Sequence, residues 1–207
     1  MKNGPGSINR IYRLVWNERT GTFVAVPEGT RGRGKRSSGV AGALLAAGLA
    51  ASGLSWAADP APPNTLPQGG NVVSGQAALN AQGSRLDITQ GSNRAAINWQ
   101  SFNVGSQAQV KIQQPDARSV LLNRVIGADP SAIYGRLSAN GQVLLVNPNG
   151  IVFGKGSQVD VGGIVASTLN IDDADFNTGR LNFKRSGNAG SIFNEGRISA
   201  AAGGYVA

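Results

Sequence analysis

The chain has 207 residues with 30 glycines, no cysteine, no histidine and a formal net charge of +8. Without Cys or His it can form no disulfide, thiolate nucleophile or thiolate zinc site, and it lacks the commonest general base and metal ligand. The basic surplus is local: residues 1–58 hold eight Lys/Arg against two Glu, and residues 59–207 hold eleven against nine acids. The later cations have no aromatics interleaved, which argues against a nucleic-acid groove. An apolar share of 41% supports a real core, and many glycines with few aromatics and thin helix formers favour an all-β fold rich in turns.

Taken in order, residues 8–28 (INRIYRLVWNERTGTFVAVPE) alternate aromatic, apolar and basic positions. An ordinary secretory signal does not need this preface; it reads either as a mis-set start or as an amphipathic extension that slows or routes export. Residues 33–60 (RGKRSSGVAGALLAAGLAASGLSWAADP) join a basic cluster to a run of small apolar residues and a Ser55-x-Ala57 ending. This is a Sec-type signal, with cleavage expected between Ala57 and Ala58. The run is short and Gly/Ala-rich for a hydrocarbon layer of about 30 Å, against a transmembrane helix. The expected division is 1–57 as an extended signal region, 58–71 as a Pro-rich extended leader, and 72–207 as the folded domain.

Short β-branched and aromatic runs follow between Gly, Ser, Asn and Pro turns: 72–73, 85–90, 95–99, 108–113 and 120–125. Asp129-Pro130 predicts a single helical turn through Tyr134. The densest stretch is 141–168 (GQVLLVNPNGIVFGKGSQVDVGGIVAST), with strands expected at 143–146, 151–153, 159–161 and 164–166. Between the first two, Asn147-Pro148-Asn149-Gly150 reads as a corner: Pro148 presets φ, Asn149 tolerates the left-handed well, and Gly150 leaves at little steric cost. Asp172-Asp173-x-Asp175 lacks the spacing of a calcium loop and reads as the first turn of a helix before Phe176, so no metal is expected. No acid cluster recurs at coil spacing to line a polysaccharide-cleaving cleft, and Trp99 and Tyr134 read as packing residues.

Internal similarity organises these runs. GSRLDI from Gly83, GSQAQVKI from Gly105 and GSQVDV from Gly156 share one phrase, and GGIVA at 162–166 returns as GGYVA at 203–207. Val146-Asn147-x-x-Gly150-x-Val152 echoes Phe193-Asn194-x-Gly196-x-Ile198. A rung of about twenty residues, or two rungs in about forty, predicts strands stacked on their counterparts in the next coil, a parallel β-helix. A β-sandwich, with irregular repetition, is the alternative. The ends of such a helix are open edges, and 72–99 is the expected amino-terminal cap.

With these residues laid out, the chain resembles the amino-terminal part of exoproteins of the Gram-negative two-partner secretion pathway, of the filamentous-haemagglutinin and high-molecular-weight-adhesin type. The resemblance rests on the preface at 8–28, AINWQSFNVGS from Ala96, SVLLNRV from Ser119, the run from Gly135 to Ile171 around NPNG, and IFNEGRISAAAGGYVA at the end. It implies a right-handed parallel β-helix with an amino-terminal capping segment, serving as the secretion (TPS) domain of a longer adhesin and nucleating its folding outside. Implied partners are the Sec translocon, signal peptidase, and the periplasmic POTRA domains of a dedicated outer-membrane transporter, with a host-cell receptor engaged through a downstream region. It carries secretion competence to Asn147, Pro148, Asn149 and Gly150, which match the family's NPNG motif, and secondarily to Asn123 of the LNRV phrase. No enzyme activity, cofactor or nucleic-acid partner is implied. Alternatives are an adhesin whose coils bind a host glycan or protein directly, and an autotransporter passenger. The absence of an NPNL motif between residues 106 and 136 tilts the match toward the high-molecular-weight-adhesin branch. Ile8 stands where the family opens with Met, which suggests a start read too far upstream, and the end at GGYVA, where the family continues into further coils, suggests a truncated chain.

Overall fold

The computed structural model describes residues 61–185, 187 and 190–207, together with the backbone of two strands near the amino terminus. Within residues 1–52 those strands, β1 (Tyr12–Asn17) and β2 (Thr22–Pro27), pair antiparallel from Tyr12↔Pro27 to Asn17↔Thr22. The alternation read in the preface thus falls on a hairpin, the period of two that strand patterns carry. The Sec-type signal at 33–57, and Ala57 and Ala58 with it, lie outside the described residues.

The unit from Gly53 onward is built of short strands. In chain order they are β3 (Asn71–Ser74), β4 (Ala77–Gln82), β5 (Arg85–Gln90), β6 (Arg94–Trp99), β7 (Gln109–Gln113), β8 (Val120–Val125), β9 (Ser131–Ile133), β10 (Arg136–Ala139), β11 (Gln142–Val146), β12 (Ile151–Phe153), β13 (Gln158–Val161) and β14 (Gly163–Ser167). An excursion follows, made of β15 (Asn170–Ile171), α1 (Asp173–Asn177) and β16 (Phe183–Lys184), and then β17 (Ile192–Asn194) and β18 (Arg197–Ala200). Three sheets wrap one interior: sheet I in the order β18-β13-β10-β7-β5-β4, sheet II in the order β14-β11-β8-β6-β3, and sheet III in the order β17-β12-β9. Pairs between successive coils are parallel and in register, so that Arg85, Gln109, Arg136, Gln158 and Arg197 form one row across sheet I. This is a β-solenoid of about three turns.

Antiparallel pairing occurs in these sheets only at the amino-terminal edge, where β3 meets β6 and β4 meets β5. The cap is therefore β3 and β4, narrower than the 72–99 expected, and β5 and β6 already belong to the first coil. Within the described part of the Pro-rich run the chain turns at Pro63-Asn64, where Thr65 N–H donates to the Pro62 carbonyl at 2.9 Å, and the run is tied to that coil. Leu66 is buried, Gln107 N–H donates to the Pro63 carbonyl at 2.8 Å, and Gly105 N–H donates to the Thr65 carbonyl at 2.9 Å. The packed chain thus starts ahead of Val72.

Three expectations change. Residues 131–133 form β9 rather than a helical turn, because pairing with β12 and burial of Ala132 and Ile133 outweigh the local Asp-Pro signal. The GGIVA and GGYVA phrases are one coil apart, not two: Ile164 pairs with Val206, and the excursion lengthens that coil to about forty residues. The echo of 146–152 in 193–198 is not structural, since Phe193 pairs with Val152 and Asn194 with Phe153.

The interior follows from the alternation. In β5 and β13 every second residue is buried, giving one inward face. By contrast, β8 and β11 read as near-continuous apolar runs and are buried almost throughout, as expected of strands covered on both faces. Their inward residues, including Leu121, Val143 and Leu145, join the coil interior. Their outward residues Val120, Leu122, Leu144 and Val146 form a second cluster with Ile171 and Phe176 of the excursion. Full burial of each such side chain stabilises by about 1.5–3 kcal/mol.

Candidate functional site

Asn147-Pro148-Asn149-Gly150 is the turn from sheet II to sheet III. Gly150 N–H closes it onto the Asn147 carbonyl at 3.1 Å, and Gly150 leaves at φ +120°, a value other residues rarely adopt. Asn147 is fully buried. Its amide nitrogen donates to the Asp129 carbonyl and to Ser131 Oγ, both at 3.0 Å, and its Oδ1 accepts from Asn149 N–H at 3.0 Å. This is an Asx turn anchored to the coil beneath. Asn149 is exposed but reaches the same coil, donating from Nδ2 to the Gly127 carbonyl at 2.9 Å. On the opposite side the chain returning from the excursion closes in: Gly190 N–H donates to the Pro148 carbonyl at 2.7 Å. A Cβ on Gly190 would stand 2.4 Å from the Asn149 carbonyl carbon and oxygen, so only glycine fits there. The motif is held between residues 127–131 on one side and 190–191 on the other.

Asn123 is not at this surface. It points into the interior from β8, in register with Leu145 of β11, and is fully buried. Its Oδ1 accepts the indole N–H of Trp99 at 3.1 Å, while its Nδ2 has no partner. Trp99, itself 2% exposed, meets Phe102 edge-on at 5.5 Å and packs as read. The structure thus gathers Asn147, Pro148, Asn149 and Gly150 in one turn and sets Asn123 apart as a core fastener. Sequence reasoning missed the supporting residues Gly127, Asp129 and Ser131. Their signal was the twenty-residue offset between GADPSAI at 127–133 and NPNGIVF at 147–153, which the Ser131↔Ile151 pairing makes structural.

Beside this corner lies the outer face of sheet II under its excursion. Phe176 is fully buried against Ala96, Val120 and Leu122, and the Arg94 guanidinium sits over its ring at 4.5 Å, a contact of about 0.5–2 kcal/mol. Arg124 Nη2 donates to the Ile171 carbonyl at 2.6 Å and to Asp173 at 2.7 Å. Ser74, in the cap, donates to Asn177 Oδ1 at 2.8 Å. The acids that suggested a helical first turn do begin α1, and each faces a cation: Asp172 with Lys184 at 2.7 Å, Asp173 with Arg124, and Asp175 with Arg180 at 3.0 Å. The Arg180 hydrogen bond holds the Asp175 carboxyl below its usual value. Burial pushes the Arg94 guanidinium down and the Tyr205 phenol up. The arrangement offers shape, apolar area and paired charges, the chemistry of docking.

Comparison with known proteins gives this geometry a context. The family described as "TPS secretion domain" matches residues 63–207, and "Extended Signal Peptide of Type V secretion system" matches residues 9–56. A "Heme/hemopexin-binding protein" of Haemophilus influenzae is 39% identical over 135 residues, covering 64% of this chain and 15% of that protein. A second protein of the same description and species is 35% identical over 146 residues, covering 70% of this chain and again 15% of the relative. The chain thus spans about 15% of the length of these relatives. Among solved structures, the HMW1 secretion domain from Haemophilus influenzae superposes with a TM-score of 0.61 at 35% identity, covering 64% of this chain and 36% of that one.

Proposed function

This chain belongs to the TPS secretion domain family, the secretion part of two-partner exoproteins of Gram-negative bacteria, and from that premise we propose that it is the non-catalytic front end of a large adhesin-type protein, recognised in the periplasm by the POTRA domains of a dedicated outer-membrane transporter. The extended signal peptide delivers it to the Sec translocon, and on this reading signal peptidase acts between Ala57 and Ala58. Proteins described as heme/hemopexin-binding and as HMW1 share this segment, so its common task is export, and we assign ligand binding to the remainder of such proteins.

The observation that carries the reading is the burial of Asn147. In the folded domain a partner can touch Pro148 and Asn149 but not the Asn147 side chain, which is spent on Asp129 and Ser131. Direct reading of Asn147 therefore belongs to the extended precursor, whose unpaired edges at residues 143–153 can add to a sheet edge of the transporter. In the folded domain the same residue turns the corner that lets β12 stack. Each coil laid down outside buries apolar surface on the previous one, which opposes backsliding without ATP.

The test is release of residues 1–207 into the medium with and without the neighbouring transporter, alongside Asn147→Ala. Partner-dependent release that the variant loses is the expected result. Release without the transporter, or periplasmic retention of both forms, overturns the proposal.

A further inference from the structure

The outer face of sheet II packs against the excursion through Ile171 and Phe176. Residues 168–184 of the excursion cover it, but the fit leaves polar atoms unserved. Arg94 Nε and Nη2 and Arg124 Nε are buried with no acceptor, and so is Asn170 Oδ1 on the covering side with no donor. Buried donors of this kind cost free energy until an acceptor arrives, more so for charged groups. The covering segment brings Asp173 to Arg124 and a Phe176 ring to Arg94. Its other acids, Asp172 and Asp175, are held by its own Lys184 and Arg180.

The order of the chain matters as well. The face is made by β3, β6, β8, β11 and β14, all of which precede the covering segment. In a chain that emerges amino terminus first, the apolar row Ala96–Leu122–Leu144 and the mixed row Arg124–Val146 can therefore form before their cover exists. Among the described residues, Ser74 Oγ joins the cap to the cover by donating to Asn177 Oδ1 at 2.8 Å.

We propose that this face of sheet II, with Arg94 and Arg124 at its centre, is a docking site for an acidic, aromatic-bearing segment of the transporter's periplasmic domains, which residues 168–184 later displace. This rests on the two-partner reading above. A competing segment must supply a ring to lie under Arg94 and at least one carboxylate for the free N–H groups of Arg94 and Arg124, with apolar side chains against Val120, Leu122 and Leu144.

The chain contains no cysteine, so a single pair introduced as Ser74→Cys with Asn177→Cys can be joined selectively, by a short bis-maleimide where a direct disulfide does not close. The measurement is binding of the secreted chain to the transporter's purified periplasmic domains, with the cover joined and unjoined. Joining should weaken binding at least tenfold, and a synthetic peptide of residues 168–184 should compete with the periplasmic domains for the unjoined form. Asp173→Asn, which loosens the cover without removing its buried ring, should tighten binding severalfold. Equal binding of the joined and unjoined forms overturns this inference while leaving transporter recognition standing. Absence of binding by every form, including the unaltered chain, removes the recognition premise and the docking site with it.

Discussion

Replacing Asn147 with Ala separates a folding role from a recognition role. The side chain donates two bonds within the fold, to the Asp129 carbonyl and to buried Ser131 Oγ, both at 3.0 Å. Each is worth about 1 kcal/mol net, and a buried hydroxyl left unpaired costs about 1–3 kcal/mol more. The Asn149 N–H that also loses its acceptor belongs to an exposed residue and can turn to water. The expected loss is therefore about 3–5 kcal/mol, which at a urea slope of about 1–3 kcal/mol/M moves the midpoint down by about 1 M or more. Asn149→Ala removes two bonds from an exposed side chain, to the Gly127 carbonyl at 2.9 Å and to Asn147 Oδ1 at 3.3 Å, and should cost about 1–2 kcal/mol. In a chain beginning at Ala58, Trp99 is the sole tryptophan; buried in the first coil, it reports unfolding by fluorescence. If Asn147→Ala unfolds at the wild-type urea concentration and is still not released, the structural account of the motif is refuted and the side chain must be read directly by the transporter.

The remaining predictions concern the core, one corner and the excursion. Trp99→Phe should cost about 1–3 kcal/mol by leaving Asn123 with no partner at either amide atom, whereas Trp99→Phe with Asn123→Leu should recover most of that loss in a urea double-mutant cycle. Gly135→Ala should destabilise by about 3 kcal/mol or more, because its Cβ would stand 2.2 Å from the Gly105 carbonyl oxygen and 2.3 Å from that of Ala108, both backbone; a midpoint unchanged in urea would show that the coils can part there. The Arg180 hydrogen bond depresses the Asp175 pKa in the folded state, so its contribution is complete above the unfolded carboxylate value of about 3.9 and is lost as pH falls through the lower folded value. Amide exchange at Phe176 and Arg180, corrected for its intrinsic rate, should therefore accelerate below about pH 4, and Asp175→Asn should abolish that step.

Much of the coil stack was legible because its signal is local. The runs 85–90 and 120–125 match β5 and β8 to the residue, since alternation and turn residues specify a half-buried strand without help from distant contacts. Asp-Pro at 129–130 misled because the fate of 131–133 depends on β12, twenty residues later. β4 went unnoticed because AALNAQ is neither branched nor aromatic, and it is a strand by virtue of pairing with β5 across its whole length. The corner at 147–150 was visible as a turn, but the burial of Asn147 was not. An asparagine in such a turn most often bonds its own backbone, and what takes this one out of water is the coil beneath and the excursion's return at Gly190. The double burial of β8 and β11 was written in their continuous apolar runs, though the identity of the cover was not.

Parallel coils with similar alternation could in principle stack in shifted registers, each burying a comparable apolar area, so something must break the degeneracy. The buried polar residues do so here. Gln114 Nε2 donates to Gln90 Oε1 at 3.0 Å in the coil before it and to the Gln142 carbonyl at 3.2 Å in the coil after, while its Oε1 accepts Gly141 N–H at 3.0 Å. Asn123 ties the second coil to Trp99 of the first, and Asn147 ties the third to Asp129 and Ser131 of the second. Each bond joins one coil to its neighbour; the glutamines form a short ladder, Gln90 Nε2 to the Val120 carbonyl and Gln114 Nε2 to the Gln142 carbonyl, whereas the Asn123 bond has no counterpart at the next coil, where Leu145 stands opposite. A slipped coil keeps its apolar contacts but strands these groups, at about 1–3 kcal/mol apiece, a total large against the stability of a small domain. The asparagine of the corner turn therefore selects register at the point where the third coil meets the second.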